Sequence, residues 1–129
     1  MKKIYIFIMF IILFLITGCS NISRTVYYND ANNYPVEELS LIRLHSDIQI
    51  YTINNESATY GTLSSASLLM YILPGDYIFE IAFIGATTSS MGTTEIDVSV
   101  EPGKKYYLTR RIENSRVYYE FKEVETVDF

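Results

Sequence analysis

Tryptophan is missing from the chain, and cysteine and histidine occur once each. A lone cysteine, Cys19, cannot close a disulfide within the chain or assemble a metal–thiolate site. A lone histidine, His45, leaves a hydrolytic triad with a single candidate base. It lies in the tight connection His45-Ser46-Asp47, where adjacent side chains point apart, so it reads as a turn residue facing solvent. Basic residues are also scarce: 10 Lys and Arg stand against 15 Asp and Glu, for a net charge of −5. Nucleic-acid binders need a basic footprint to neutralise phosphate. After residue 18 only Lys104-Lys105 and Arg110-Arg111 cluster, and no nucleic-acid partner is expected. Arg116 reads with them as balance for Glu113, Glu120 and Glu123 on a wet face.

What is present begins with grease. Met1-Lys2-Lys3 opens the chain, and every side chain from Ile4 to Ile16 is apolar or aromatic. A charged start, a short apolar stretch and a small-residue cleavage site make an export signal. The stretch is short for a membrane-spanning helix, which needs about 20 residues. Ile16-Thr17-Gly18-Cys19 then resembles the bacterial lipobox: an aliphatic residue, two small residues and a cysteine. The resemblance implies cleavage between Gly18 and Cys19 and a diacylglycerol on the Cys19 sulfur. The anchored partner would be the lipid bilayer of a bacterial cell membrane or outer membrane, with the rest of the chain exported from the cytoplasm. Ser20, in place of an Asp, resembles lipoproteins sent on to an outer membrane where a second membrane exists.

Cleavage would leave Cys19–Phe129, one domain by length. Without Lys2 and Lys3, 8 basic residues face 15 acidic ones, a net charge of −7. Such a body is repelled by anionic lipid heads, so the lipid alone is expected to hold it. The division expected is a signal peptide over residues 1–18, a lipidated Cys and flexible tether over 19–35, and a β-sandwich over 36–129. The stretch 20–35 is polar, rich in Asn and closed by Pro35, with residues 25–28 a candidate short edge strand.

From Val36 the pattern is strand after strand, with no sustained helical spacing. Runs rich in Ile, Leu, Val, Tyr and Phe occupy residues 39–44, 48–53, 67–73, 77–84, 94–100, 105–111 and 117–121. Strict alternation marks two half-buried strands. Thr94, Ile96, Val98 and Val100 share one side, opposite Glu95, Asp97 and Ser99. Val117, Tyr119 and Phe121 share another, opposite Tyr118, Glu120 and Lys122. Glu80 outside puts Tyr77, Phe79, Ile81 and Phe83 inside. Leu73-Pro74-Gly75-Asp76 fits a type II turn and reads as a hairpin joining 67–73 to 77–84. Residues 54–57, 101–104 and 112–115 read as further turns. The fold class expected is all-β, an antiparallel sandwich of about seven short strands, with a small closed barrel as the alternative; a parallel sheet would need crossover helices, for which the chain has no room.

Tyr71-Ile72-Leu73-Pro74-Gly75-Asp76-Tyr77 and Val100-Glu101-Pro102-Gly103-Lys104-Lys105-Tyr106-Tyr107-Leu108 resemble hairpin and strand-start segments of small transthyretin-like and PEGA-like sandwich modules, frequent in bacterial lipoproteins. The resemblance implies a sandwich over about residues 39–124 and brings no catalytic residue and no cofactor.

Little else points to chemistry. Glu95 and Asp97 share a strand face, and with Glu80 on a neighbouring strand they could act as paired carboxylates or Ca²⁺ ligands, but nothing like a calcium loop accompanies them, and a solvated face is expected. Residues 85–92 and 60–66 are small, polar loops with no P-loop spacing. Tyrosine is the one excess, 12 in all. It suits half-wet sheet surfaces, and one member of each Tyr pair should face out. Tyr106 or Tyr107, with Tyr118, are thus candidates for a glycan or small-ligand platform. The primary expectation is a non-enzymatic module that contacts another envelope protein.

Overall fold

Short runs of β-branched and aromatic residues, punctuated by Asn, Gly and Pro, favour strands along the chain that follows the N-terminal apolar run. The computed structural model describes residues 24–61, 67–85 and 92–126. They form nine strands: β1 (Arg24–Tyr27), β2 (Ser40–Leu44), β3 (Ile48–Ile53), β4 (Glu56–Tyr60), β5 (Leu68–Ile72), β6 (Gly75–Phe83), β7 (Thr94–Val100), β8 (Lys105–Glu113) and β9 (Arg116–Val124). Two 3-10 turns, Asn29–Asn33 and Val36–Glu38, link β1 to β2.

The strands divide into a five-stranded sheet, ordered β1-β5-β2-β8-β9, and a four-stranded sheet, ordered β4-β3-β6-β7. One core lies between them. Ile42, Leu44, Met70, Ile72 and Leu108 enter it from the five-stranded sheet, and Ile48, Ile50, Ile53, Phe79, Ile81 and Val98 from the other. The expected all-β sandwich is therefore present. The alternating faces of β6, β7 and β9 are also as read. Phe79, Ile81, Phe83, Val98 and Val100 are buried, while Glu95, Asp97, Ser99, Tyr118, Glu120 and Lys122 are exposed.

Four features depart from the expectation. First, there are nine strands rather than about seven, because β1 and β4 also form. β4 hides in the polar stretch Glu56-Ser57-Ala58-Thr59-Tyr60, where only Ala58 and Tyr60 pack on the core. An edge strand needs no more apolar content than that.

Second, the sheets are not antiparallel throughout: β1 pairs with β5, and β2 with β8, in parallel. No crossover helix is required, because the chain between each parallel pair passes through the opposite sheet. β3 and β4 lie between β1 and β5 in sequence and belong to the four-stranded sheet.

Third, Leu73-Pro74-Gly75-Asp76 does not close a hairpin. β5 and β6 sit in different sheets, so this stretch is a corner. Gly75 takes φ +150°, far from the roughly +80° of the third position in a type II turn, and already pairs with Val100 as the first residue of β6. The second Pro-Gly stretch, Glu101–Lys104, does close a turn, with the Lys104 N–H donating to the Glu101 carbonyl at 3.4 Å. It too links strands of different sheets, β7 and β8. Gly103 takes φ +71° there and donates its N–H to the Leu39 carbonyl at 2.9 Å.

Fourth, residues 24–35, read as tether, are built into the domain. β1 is an edge strand of the five-stranded sheet, and Tyr28 and Ala31 are buried. The first eighteen residues, Cys19 and the remaining residues up to 23 lie outside the described part, as do 62–66, 86–91 and 127–129, which include most of both small polar loops.

Two hairpins use asparagine instead of glycine. Asn54-Asn55 joins β3 to β4 and Asn114-Ser115 joins β8 to β9, all four residues at φ between +50° and +65°. Positive φ at both central positions is what a type I′ hairpin demands, and Asn tolerates it better than most residues. A register shift between Ile50 and Thr52 inserts Tyr51 as an extra residue in β3. It lets Ile50 and Ile53, three apart, both face the core. It also turns the Thr52 hydroxyl outward, where it donates to Glu80 Oε2 at 3.1 Å.

Candidate functional site

Strand alternation sorts the candidate tyrosines. On β8, Tyr106 and Leu108 face the core, and on β9 Tyr119 and Phe121 pack against it. Tyr106 is only 6 % exposed. Its ring stacks on Phe121, centroids 5.1 Å apart, and its hydroxyl accepts the Glu101 N–H at 2.9 Å. It is a core residue that pins the β7–β8 corner and offers no ring to a surface ligand. Tyr107 and Tyr118 lie on the opposite, outer face, as one member of each pair was expected to do.

They are not neighbours on that face. Tyr107 sits opposite Lys122 in the β8–β9 register, and Tyr118 opposite Arg111, four positions further along. Arg43 lies over the Tyr107 ring at 4.9 Å and Arg111 over Tyr118 at 5.2 Å. Arg43 reaches Tyr107 because the parallel β2–β8 register sets them side by side. At the other edge Tyr27 on β1 stacks on Tyr71 on β5, centroids 5.1 Å apart at 19°. The outer face of the five-stranded sheet thus carries four tyrosines, and every ring already packs against another ring or a guanidinium. Sequence reasoning did not single out Tyr27, Tyr71 or Arg43. Alternation alone would have placed Arg43 outward on β2, but only the parallel pairing shows what it meets.

The carboxylates occupy the other outer face. Asp76, Glu80, Glu95 and Asp97 project from β6 and β7, with Glu80 directly opposite Glu95. Glu80 is held by two hydroxyl donors, Thr52 and, at 2.7 Å, Thr93. Asp76 accepts from Ser99. Among the described residues no group of three or more His, Cys, Asp or Glu is placed to hold a metal ion. Lys and Arg are absent from the strands of this sheet, whereas β1, β2, β8 and β9 hold seven: Arg24, Arg43, Lys105, Arg110, Arg111, Arg116 and Lys122. Charge is therefore segregated between the two sheets.

The corner between β2 and β3 corrects one reading. His45 and Asp47 do not point apart: the His45 Nδ1 meets the Asp47 carboxylate. Arg110 on β8 donates to the other carboxylate oxygen from Nε at 3.2 Å and Nη2 at 2.7 Å. The cluster is partly buried, and the Arg110 guanidinium also lies 5.4 Å from the Phe83 ring. One carboxylate thereby ties a corner between sheets to a strand 63 positions away. The backbone repeats the tie, with the His45 N–H donating to the Leu108 carbonyl at 3.0 Å.

A cleft of about 250 Å³ opens at the end of the sandwich between Tyr28, Asn29, Asn54, Glu56, Leu73 and Tyr77. It is smaller than the usual ligand pocket of roughly 300–1,000 Å³. Burial pushes the Tyr28 and Tyr77 hydroxyls above the ordinary tyrosine range. Tyr77 donates to the Leu73 carbonyl at 2.7 Å, a bond between two residues that line the cleft.

No helix among the described residues is long and apolar enough to cross a membrane. Comparison with protein-family models, with curated proteins and with solved structures found no match to the chain.

Proposed function

We propose that the chain is a bacterial lipoprotein, anchored to a membrane through acylated Cys19, whose β-sandwich works by contact with another envelope protein or as a structural element, without catalysing a reaction and without a cofactor. The observation that carries the proposal is the run Ile4–Ile16 followed by Ile16-Thr17-Gly18-Cys19, with two lysines ahead of it. The thiol is the nucleophile that accepts lipid, and no other residue type in that motif could. Several acyl chains together hold a protein far better than one, since each buried CH₂ adds about 0.8 kcal/mol.

The arrangement of polar groups supports contact over chemistry. His45, the single imidazole, is engaged by Asp47, whose charge Arg110 already answers. A glycan- or small-ligand-binding role for Tyr107 and Tyr118 is the lesser reading, because each ring is already covered on one side by an arginine.

Feeding labelled palmitate to the native host tests the anchor. Label should appear on the wild-type protein and vanish in Cys19→Ser. An unlabelled wild type, or label that survives the substitution, would overturn the reading. Crosslinking in the native membrane then identifies the contact partner.

A further inference from the structure

We infer that the outer face of the five-stranded sheet lies on the anionic headgroups of the membrane that holds the anchor. The inference rests on the lipoprotein reading and specifies which face of the body meets the bilayer. Net charge alone argues against any such contact, since the exported chain is acidic. The fold changes that, because its charge is not spread evenly.

Arg43, Lys105, Arg111, Arg116 and Lys122 project from the outer face of β2, β8 and β9, and their acidic neighbours there are Glu113 and Glu120. Both of those carboxylates pair with Arg111, at 3.1 and 3.7 Å. Lys105, Arg116 and Lys122 make no ion pair among the described residues, so their charge is available to an anionic surface. The opposite outer face carries Asp76, Glu80, Glu95 and Asp97 with no Lys or Arg on its strands. A bilayer bearing negative lipids attracts the first face and repels the second, and the attraction acts within about a Debye length of the surface.

Chain length keeps the body close to the bilayer, so that it can settle within that range. Cys19 precedes Arg24, the first residue of β1, by five positions. Five residues reach about 17 Å at full extension. β1 is an edge strand of the five-stranded sheet and of no other. The anchor therefore attaches at the β1 edge of this face, with β5 between it and the basic residues of β2, β8 and β9.

Composition of the face fits the same surface. Its tyrosines have an apolar ring and a polar tip, the chemistry that settles at a membrane–water interface. Tyr27 and Tyr118 are the most open of them, at 43 % and 42 % exposure.

The absence of tryptophan makes the test direct, because a single introduced indole reports alone. Two full-chain variants are prepared as the lipidated protein, Tyr118→Trp on the basic face and Ile78→Trp on the acidic one. Indole retains the stack under Arg111, and Ile78 is open to solvent. Each is reconstituted in phosphatidylcholine vesicles with and without phosphatidylglycerol, doped with lipid carrying a headgroup nitroxide quencher. The Tyr118→Trp reporter should be quenched at least about twofold more in the anionic vesicles than in the neutral ones. Salt of about 1 M, where the Debye length falls to roughly 3 Å, should erase that difference. The Ile78→Trp reporter should remain weakly quenched throughout. Adding Lys105→Glu and Lys122→Glu to the first variant should abolish the effect of the anionic lipid. Equal quenching of the two reporters, or stronger quenching of Ile78→Trp, overturns the inference. Palmitate label on the same preparations separates the two claims. Labelled protein without facial bias overturns the orientation alone, and unlabelled protein overturns the anchor and the orientation with it.

Discussion

Asp47 gathers three interactions at one carboxylate: the His45 ring on one oxygen, and both the Nε and Nη2 of Arg110 on the other. Hydrogen bonds to charged partners in partly buried sites contribute about 1.5–3 kcal/mol, less where water screens them. Asp47→Ala should therefore lower the unfolding free energy by about 1–2 kcal/mol, read from the urea midpoint. Asp47→Asn should recover part of the loss if hydrogen bonding outweighs charge. Tyr28 and Tyr77 set a pH limit. Both hydroxyls titrate above their ordinary value because burial disfavours the phenolate. The folded state then holds its protons more tightly than the unfolded one, so the stability they confer is complete below about pH 10 and drains away as pH rises beyond it. Urea midpoints at successive pH values should fall above about pH 10, and the double change Tyr28→Phe with Tyr77→Phe should flatten that fall. At this scale the sequence was only half legible. Strict alternation showed that Tyr118 faces out, but in Tyr106-Tyr107 it showed only that one of the two does. The His45–Asp47 contact was misjudged because a turn can curl two side chains onto the same side, and the third member, Arg110, arrives from a strand that no local pattern links to the corner.

β7 shows what an element reveals in advance and the Pro-Gly corners show what it conceals. Thr94–Val100 is half-buried, so its pattern of period two survives in the sequence and its bounds are as read. β4 is an edge with little to bury, and its composition resembles the turn beside it. Pro-Gly fixes local φ but says nothing about which sheet receives the next strand. The same dipeptide therefore serves a hairpin or a change of layer. In the Glu101–Lys104 corner, Gly103 takes φ +71°, and a Cβ there would rest in van der Waals contact with the Glu37 carbonyl oxygen at 3.4 Å. Left-handed backbone costs a non-glycine residue roughly 1–2 kcal/mol. Gly103→Ala should cost about that much in thermal or urea unfolding, and the reduction in stability should come without loss of the fold by circular dichroism. The Ser40 hydroxyl, which donates to the Glu101 carbonyl at 2.6 Å, and the Tyr106 hydroxyl hold the same corner from two further strands.

Across the whole molecule the chain changes sheets four times: from β2 to β3, from β4 to β5, from β5 to β6 and from β7 to β8. The four-stranded sheet lies within residues 48–100, but the five-stranded sheet draws on both ends of the chain, and β2 waits for β8 to cover one side of it. Pairings this distant in sequence make folding slow relative to helical domains of the same size, on the order of milliseconds to seconds. A chain ending at residue 104 should show no cooperative unfolding transition, whereas one ending at residue 126 should unfold with a single sharp midpoint. All-β architecture was legible from periodicity, but the mixed sheet was not, because parallel pairing is decided by the path taken through the opposite layer.

The same weaving gives the protein a built-in delay. Until Lys105–Leu108 has emerged, β2 has an empty flank and the greasy interior stays unsealed, so a polypeptide still under synthesis stays short of its final shape. A fold that keeps its final stitch near the end of the thread can close only when almost the whole thread is present.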